Sequence, residues 1–493
     1  MANQQTAQEI SNFVGGQPLR PRAQERLEVL DPATGEFLGL VPLCGSEDVE
    51  AAVRAAATAY QSWRDEPVTR RARRMFGLQQ LLERQLDELA ELVTLENGKH
   101  LDEARGEVRR GIEVVELAAA MTTHMKGETL DQVAHGVDAS LHRFPLGVVC
   151  AITPFNFPAM IPLWFAPLAI AAGNTFVLKP SQRTPLTANR LGEVFTEAGF
   201  PDGVFNVVHG AREAVEALID HPDVRAVSSV GSAPVARKIY ERAGLRGKRV
   251  QALAGAKNHL VVMPDADMAQ AAPAVFSSAF SNAGERCLAG SVAVTVGEIG
   301  DRFAGEIVSI ARGARIAPGK DAELDADNTI TPVTTREALA RITSYIDLGE
   351  QEGAQLLVDG RSVQHDGGFF LGPTIFDGVT PDMRIAREEI FGPVLCLERM
   401  GDVDRAIEAI NSSDYGNAAA IFTRDGGTAR RFCREVECGM IGVNISVPAP
   451  VAYFPFSGWG GSFYGDLHAT GRDGVEFYTE KKVITSRWPP GAE

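Results

Sequence analysis

Cys287 stands in "SNAGERCLAG", residues 281–290, a polar stretch flanked by glycines, with Arg286 immediately before the sulfur. A thiolate in such a loop can attack an electrophilic carbon and hold an acyl group as a thioester. A free thiol titrates near ~8.5, so the neighbouring positive charge favours the reactive form. Upstream lies "QALAGAKNH", residues 251–259, with Leu253 near its start. The other five cysteines, Cys44, Cys150, Cys396, Cys433 and Cys438, read as small buried residues, the usual state of a free cysteine. No Cys-x-x-Cys pattern suggests a metal. Six cysteines in 493 residues make no disulfide framework, and reduced thiols fit a cytoplasmic setting.

Three further groups of residues sit where a ligand would be held. Lys179 ends a strand-like run in "VLKPSQ". Gly231 and Ser232 end another in "SVGSAPVARK", just before a helical stretch whose N-terminus would favour a phosphate. Asn156 follows a third in "TPFNFP". In open parallel sheets, ligands bind beyond the carboxyl ends of the strands. The dinucleotide fingerprint G-x-G-x-x-G is absent. From spacing alone, Lys179 reads equally well as a solvated strand-end lysine and Gly231 as a turn glycine.

The elements that must position these groups are legible in the periodicity. Residues 46–120 repeat apolar positions at three and four with charges between, the mark of amphipathic helices. Residues 122–145 lose that period and read as an extended excursion. Buried strands are expected at 147–153, 174–180, 204–210, 225–231 and 249–255, with helical stretches between them. Such alternation means βαβ units and a parallel sheet. A second α/β region follows "NHLVVMPDAD". Its helices are expected near 267–280, 301–314 and 335–353, and its strands at 291–298, 392–398, 418–423 and 439–444. The tail at 474–488 alternates and is rich in β-formers, so it is expected to complete a sheet. The most apolar stretch, 158–173, carries Pro158, Pro162 and Pro167 and is short of the roughly 20 residues a membrane span needs. A buried helix is the better reading, and no membrane association is expected. The start "MANQQTAQEISNF" lacks a secretory pattern.

Composition narrows the partners. Apolar residues make up 45% of the chain and charged residues 23%, as in ordinary soluble domains. The net charge of −16 repels a phosphate backbone, which argues against nucleic-acid binding.

Five motifs in order, "TPFNFP", "AAGNTFVLKPS", "NAGERC", "EEIFGPV" and "FYTEKK", resemble the aldehyde dehydrogenase superfamily over essentially the whole chain. The resemblance implies an α/β fold with a Rossmann-like cofactor domain (residues 1–122 and 146–255) and an α/β catalytic domain (256–448). It also implies a small β arm (123–145 and 470–493) that makes a homo-oligomer, dimer or tetramer. It implies Cys287 as nucleophile and Asn156 as oxyanion donor. Lys179 and Gln182 would face the adenosine ribose, Gly231 and Ser232 the pyrophosphate, and Phe155, Glu389 and Phe391 would complete the NAD site. No metal is implied.

Within the superfamily, "RVQALAGAKNHLVVMPDAD", "NAGERCLAGSVAV" and "FSGWGGSFYGDLHATGRDGVEFYTEKK" are most similar to the branch that oxidises methylmalonate semialdehyde and transfers the acyl group to coenzyme A. Arg110 and Arg286 match the positions that would hold the substrate carboxylate, an arrangement suited to the arginine fork. Hydrolytic members carry a glutamate at the position of Leu253, where it activates water. Leucine accepts no proton, so the resemblance favours coenzyme A as co-substrate, although the branch usually carries asparagine here and leucine departs from that pattern too. Glu480 is the carboxylate considered as a replacement base. Gln182, in place of the usual glutamate, leaves NADP possible beside NAD. Three rival readings follow from the same residues. One is a hydrolytic aldehyde dehydrogenase that releases a free acid. The second is a non-redox cysteine hydrolase or acyltransferase, which lacks a His or Asp motif to partner Cys287. The third is a catalytically silent binding protein in the same fold, against which the presence of Cys287, Asn156 and Glu389 argues.

Overall fold

The computed structural model describes residues 9–321, 325–363, 365 and 367–488. Expectations placed on residues 1–8 and 489–493 lie outside the described residues.

Four helices come first: α1 (Ser46–Trp63), α2 (Val68–Arg84), α3 (Leu86–Asn97) and α4 (Leu101–Ala119). Each buries one apolar stripe, such as Val49, Ala52, Val53 and Ala56 on α1. Gly98 ends α3 at φ +93°, a left-handed position that glycine fills without a Cβ clash. His100 then opens α4 with a capping box closed by Glu103. The turn between them, Asn97–His100, is therefore fixed at both ends. It borders the cavity beside Cys287 described below.

The first sheet contains five parallel strands: β1 (Val148–Ile152), β2 (Thr175–Lys179), β3 (Phe205–Val207), β4 (Val224–Val230) and β5 (Arg249–Leu253). Their spatial order is β3-β2-β1-β4-β5, extended by antiparallel strands at both edges. All five lie where the periodicity placed them. The order reverses between β1 and β4, which opens a crevice at their carboxyl ends. Ile152 pairs with Lys179 on one side and Ser229 on the other, so both flanking strands end level with β1. Helix α5 (Met160–Ala172) follows β1 and is buried on every side, Pro167 included. This is the buried helix expected from its composition. Among the described residues no helix is long and apolar enough to cross a membrane. Helix α6 (Ala233–Leu245) follows β4.

The second sheet holds β6 (Asn258–Val262), β7 (Gly290–Val296), β8 (Thr374–Asp377), β9 (Val394–Met400), β10 (Ala418–Phe422) and β11 (Met440–Val443). These run parallel in the order β8-β9-β7-β6-β10-β11. Strands β7, β9, β10 and β11 match the expected runs. Strand β6 was missed: only Ala254–Lys257 separate it from β5, so the two read as one apolar stretch. Strand β8 was missed because four residues after Gly372-Pro373 give no usable period. Helix α7 (Met268–Phe280) delivers the chain to the cysteine loop.

Residues 128–134 and 137–145 form an antiparallel hairpin, to which Thr479–Arg487 adds a third strand. The tail departs from expectation at its start, where Gly471–Phe477 is helical and buries Val475 and Phe477. The three-stranded arm exposes Leu130, Val133, Val483, Ile484 and Trp488.

Candidate active site

Cys287 is delivered by a strained turn. After α7, Asn282, Ala283 and Gly284 all adopt left-handed φ angles of +50°, +50° and +70°. Such angles cost a non-glycine residue roughly 1–3 kcal/mol and persist only where packing enforces them. Here the packing is close. A Cβ on Gly284 would collide with the Gly392 carbonyl oxygen, so the cysteine loop lies backbone to backbone against the loop carrying Glu389 and Phe391. The Cys287 carbonyl then accepts hydrogen bonds from two side-chain amides, Asn258 Nδ2 and Asn417 Nδ2, each at 2.9 Å. Sequence reasoning missed both. Their signal was an amide at the head of an otherwise apolar strand, in "KNHLVV" and "GNAAAIF".

The thiol is half-buried. Burial pushes its pKa up to about 12, and Glu389 adds to the rise. Arg286 and the N–H groups of Cys287 and Leu288 oppose it. Asn156, in the loop between β1 and α5, is buried and donates one amide hydrogen to the Glu285 carbonyl at 3.1 Å. An amide has two such hydrogens, so a second donor remains.

Cys287 lies between two spaces. On one side is a cavity of about 210 Å³ whose walls include Phe157, Trp164 and Phe456 together with Arg110 and Arg286. Arg110 Nη2 donates to the Pro450 carbonyl at 2.6 Å. Its neighbour Arg109 points elsewhere and pairs with Glu83 at the surface. Arg286 Nη2 donates to the carbonyls of Ser277 (2.7 Å) and Ser278 (3.0 Å), and its buried Nε makes no hydrogen bond. The structure thus brings both arginines to the cavity that Cys287 lines and leaves Arg109 outside it. On the other side, Cys287, Glu389 and Phe391 share a narrow space of about 20 Å³. Glu389 accepts from the Ala256 N–H at 2.9 Å, and burial raises its pKa. Phe391 is held at φ +54° with its ring edge-on to Phe155, 6.1 Å between centroids.

The remaining sequence-predicted residues gather at the carboxyl end of the first sheet. Lys179 Nζ, buried, donates to the Gly210 carbonyl at 3.0 Å, and burial lowers its pKa to about 8. Gln182 is half-buried in the following loop. Gly231 bonds the Leu253 carbonyl, and Ser232 caps α6 without engaging its own hydroxyl. Leu253 itself is buried, opposite Phe463 of the antiparallel edge strand. Glu480 is exposed on the arm strand and does not line the Cys287 cavity, so it is no replacement base. Among the described residues no cluster of three metal-ligating side chains occurs.

The sequence model of the aldehyde dehydrogenase family matches residues 19–484. The chain belongs to the aldehyde dehydrogenase family. It is 54% identical over 483 residues to malonate-semialdehyde dehydrogenase 2 of Geobacillus kaustophilus, covering 98% of this chain and 99% of that one. It is 52% identical to malonate-semialdehyde dehydrogenase of Halalkalibacterium halodurans, covering 99% and 100%. Among solved structures it is similar to a Sinorhizobium meliloti protein assigned as a methylmalonate-semialdehyde dehydrogenase and complexed with NAD (TM-score 0.97, 44% identity, 99% of each chain). It is also similar to methylmalonate-semialdehyde dehydrogenase of Oceanimonas doudoroffii (TM-score 0.95, 45% identity, 98% and 99%).

The crevice of this aldehyde dehydrogenase suits a dinucleotide. Thr153 Oγ1 and Ser229 Oγ, near the carboxyl ends of β1 and β4, are buried without hydrogen-bond partners. A Cβ on Gly231 would meet only Val235, at 3.9 Å, so the α6 N-terminus is open to a phosphate. Lys179 supplies a buried donor beside them.

Proposed function

We propose that this aldehyde dehydrogenase oxidises malonate or methylmalonate semialdehyde with NAD and passes the decarboxylated acyl group to coenzyme A. The observation that carries the reading is the meeting of Arg110, Arg286 and Cys287 around one cavity, with leucine at position 253. The names of the relatives support the substrate class.

The Cys287 thiolate attacks the aldehyde carbon, while the two arginines hold the substrate carboxylate. The oxyanion that forms is met by the Asn156 amide and the Cys287 N–H. Bound NAD, held by Lys179, Gln182, Gly231, Ser232, Phe155, Glu389 and Phe391, supplies the acceptor for the hydride. A thioester on Cys287 remains. Its carbonyl accepts the electrons of the departing carbon dioxide, and the resulting enolate is protonated. Without a carboxylate at position 253 to prime water, the thioester waits for the coenzyme A thiol. Acetyl- or propionyl-CoA is released and Cys287 is regenerated.

Incubation with malonate semialdehyde, NAD and coenzyme A, with products identified by mass, tests the reading. Acetyl-CoA is expected. Free malonate, formed equally well without coenzyme A, would favour the hydrolytic alternative.

Two predictions follow from the site. Charge-assisted hydrogen bonds to one carboxylate are worth about 1.5–3 kcal/mol, so Arg110→Ala lowers kcat/KM for malonate semialdehyde by ~10–10². Propanal, which lacks the carboxylate, should lose much less, and steady-state kinetics with both aldehydes checks this. The second concerns pH. Because burial disfavours the thiolate, iodoacetamide should alkylate the free enzyme slowly at neutral pH and ~10-fold faster per pH unit above it. No plateau is expected near neutral pH, because burial pushes the thiol up to about 12. A plateau below pH 8, read by mass of the modified chain, would contradict this.

The neutral Gln182 supports NAD with weak discrimination against NADP. Labour divides along the two sheets, with residues 1–122 and 146–255 holding cofactor and 256–448 supplying the nucleophile. The arm (123–145 and 470–493) makes a homo-oligomer. The apolar side chains it exposes, Leu130, Val133, Val483 and Ile484, support this, since exposed apolar surface marks an interface. Val483→Lys with Ile484→Lys should lower the mass measured by light scattering while each chain stays folded. The six free cysteines support action in the cytoplasm.

A further inference from the structure

The loop that carries Asn156 is gripped from outside. On one side, Asn97 Nδ2 donates to the Phe155 carbonyl at 3.1 Å and Lys99 Nζ to the Asn156 carbonyl at 2.6 Å. On the other, Glu107 Oε1 accepts the N–H groups of Ala159 (2.8 Å) and Met160 (3.1 Å). These N–H groups begin α5, whose N-cap residue contributes no side-chain bond of its own. Glu107 Oε2 closes the clamp on Lys99 Nζ at 2.6 Å. The two side chains are 1% and 0% exposed, and Lys99 Nζ also lies 4.1 Å from the Phe157 ring centroid. Both line the cavity that holds Cys287.

A buried ion pair is a poor device for stability alone. The desolvation of both charges offsets their attraction, and an apolar pair of like volume is often as stable. What the pair supplies is direction. A carboxylate suits a helix N-terminus, an ammonium suits a carbonyl, and joining them ties α5 to the turn Asn97–His100 with Asn156 between. An apolar pair would leave the loop free to turn the amide.

We propose that the Lys99–Glu107 pair is a positioning unit that fixes the Asn156 loop and so aims the Asn156 amide at the oxyanion formed on Cys287. The role rests on Asn156 acting as oxyanion donor in the proposed reaction. Lys99 and Glu107 are positioning residues and act through Asn156.

The test is a mutant cycle. Lys99→Met/Glu107→Leu removes both charges and leaves no lone buried ion. Glu107→Gln, nearly isosteric, keeps an acceptor for the α5 N–H groups and breaks only the tie to Lys99, so it tests that tie if the double variant does not fold. Each is measured alone and in the Asn156→Ala background. The readouts are thermal unfolding, iodoacetamide alkylation of Cys287, and kcat and KM for NADH formation in the presence of coenzyme A. The expected result is a cooperative unfolding transition and a parental alkylation rate, with KM little changed and kcat down ~10–10², a fraction of a whole lost donor. With Asn156→Ala present, the pair substitution should cost nothing further. Parental kcat in a folded pair variant, beside a slow Asn156→Ala, overturns the positioning role and leaves the reaction intact. Full additivity with Asn156→Ala overturns it as well. Parental kcat in Asn156→Ala alone overturns both the role and the oxyanion assignment beneath it.

Discussion

A Leu253→Glu variant releases free acid without coenzyme A, ~10²–10⁴ times faster than the parent chain, the usual worth of a positioned general base. Leu253 ends β5 and is buried, in the same apolar cluster against which Cys287 packs. The Gly231 N–H fixes its carbonyl, and its backbone pairs with Phe463. A glutamate there enters an apolar setting, and burial raises a carboxyl's pKa toward the range where it can take a proton from water. The gain appears only in the step that empties Cys287. The rate of hydride transfer in a single turnover should stay near parental, and product analysis by mass separates the two steps. A rise in hydride transfer instead would place position 253 in a different role. The burial that makes the base effective also costs folding stability, so the variant should unfold at a lower temperature.

Cys287→Ala removes turnover to the limit of detection, a loss on the order of 10⁴–10⁶ in kcat for a covalent nucleophile. The backbone around it explains why no neighbour compensates. The carbonyl of residue 287 is held by Asn258 and Asn417, and the turn before it is locked in left-handed angles against Gly392. The loop therefore stays in place when the sulfur goes. NAD affinity, read by fluorescence titration, should change little. Cys287→Ser keeps an atom in the right place, but a hydroxyl is too weak an acid to ionise there, so it too should be inactive. The other five cysteines line neither space beside Cys287. Cys433 is exposed, against the buried reading, whereas Cys44, Cys150, Cys396 and Cys438 are buried, and burial raises the pKa of each as it does for Cys287. Their replacement by alanine is expected to leave kcat near parental.

How much of this was legible in the sequence depended on range. The five strands of the first sheet and the helices around them follow from local apolar periodicity, which is why 147–153 and 225–231 could be placed. Cys287 and Asn156 stood in short motifs whose chemistry is carried by the residues themselves. What the sequence left open was direction. Arg109 and Arg110 are neighbours on one helix, about 100° apart around its axis. Only the packing of α4 against α5 decides which reaches the cavity. Glu107 sits on the buried stripe of α4 between Ala104, Val108 and Gly111, where an acid is out of place. That anomaly was the one signal for the Lys99 clamp, and its partner eight residues away at the end of a turn could not be paired from spacing. Strand β6 was lost because Ala254–Lys257, the bridge between the two sheets, carries no turn signal except one glycine.

In the proposed reaction the acyl group waits on Cys287 because nothing at position 253 activates water. The most direct measurement is the mass of the intact chain, acid-quenched after mixing with malonate semialdehyde and NAD in the absence of coenzyme A. Most chains are expected to carry an acetyl group on Cys287, and adding coenzyme A before the quench should remove it as acetyl-CoA. An unmodified chain, with NADH and free acid accumulating steadily at the same rate with or without coenzyme A, would contradict it.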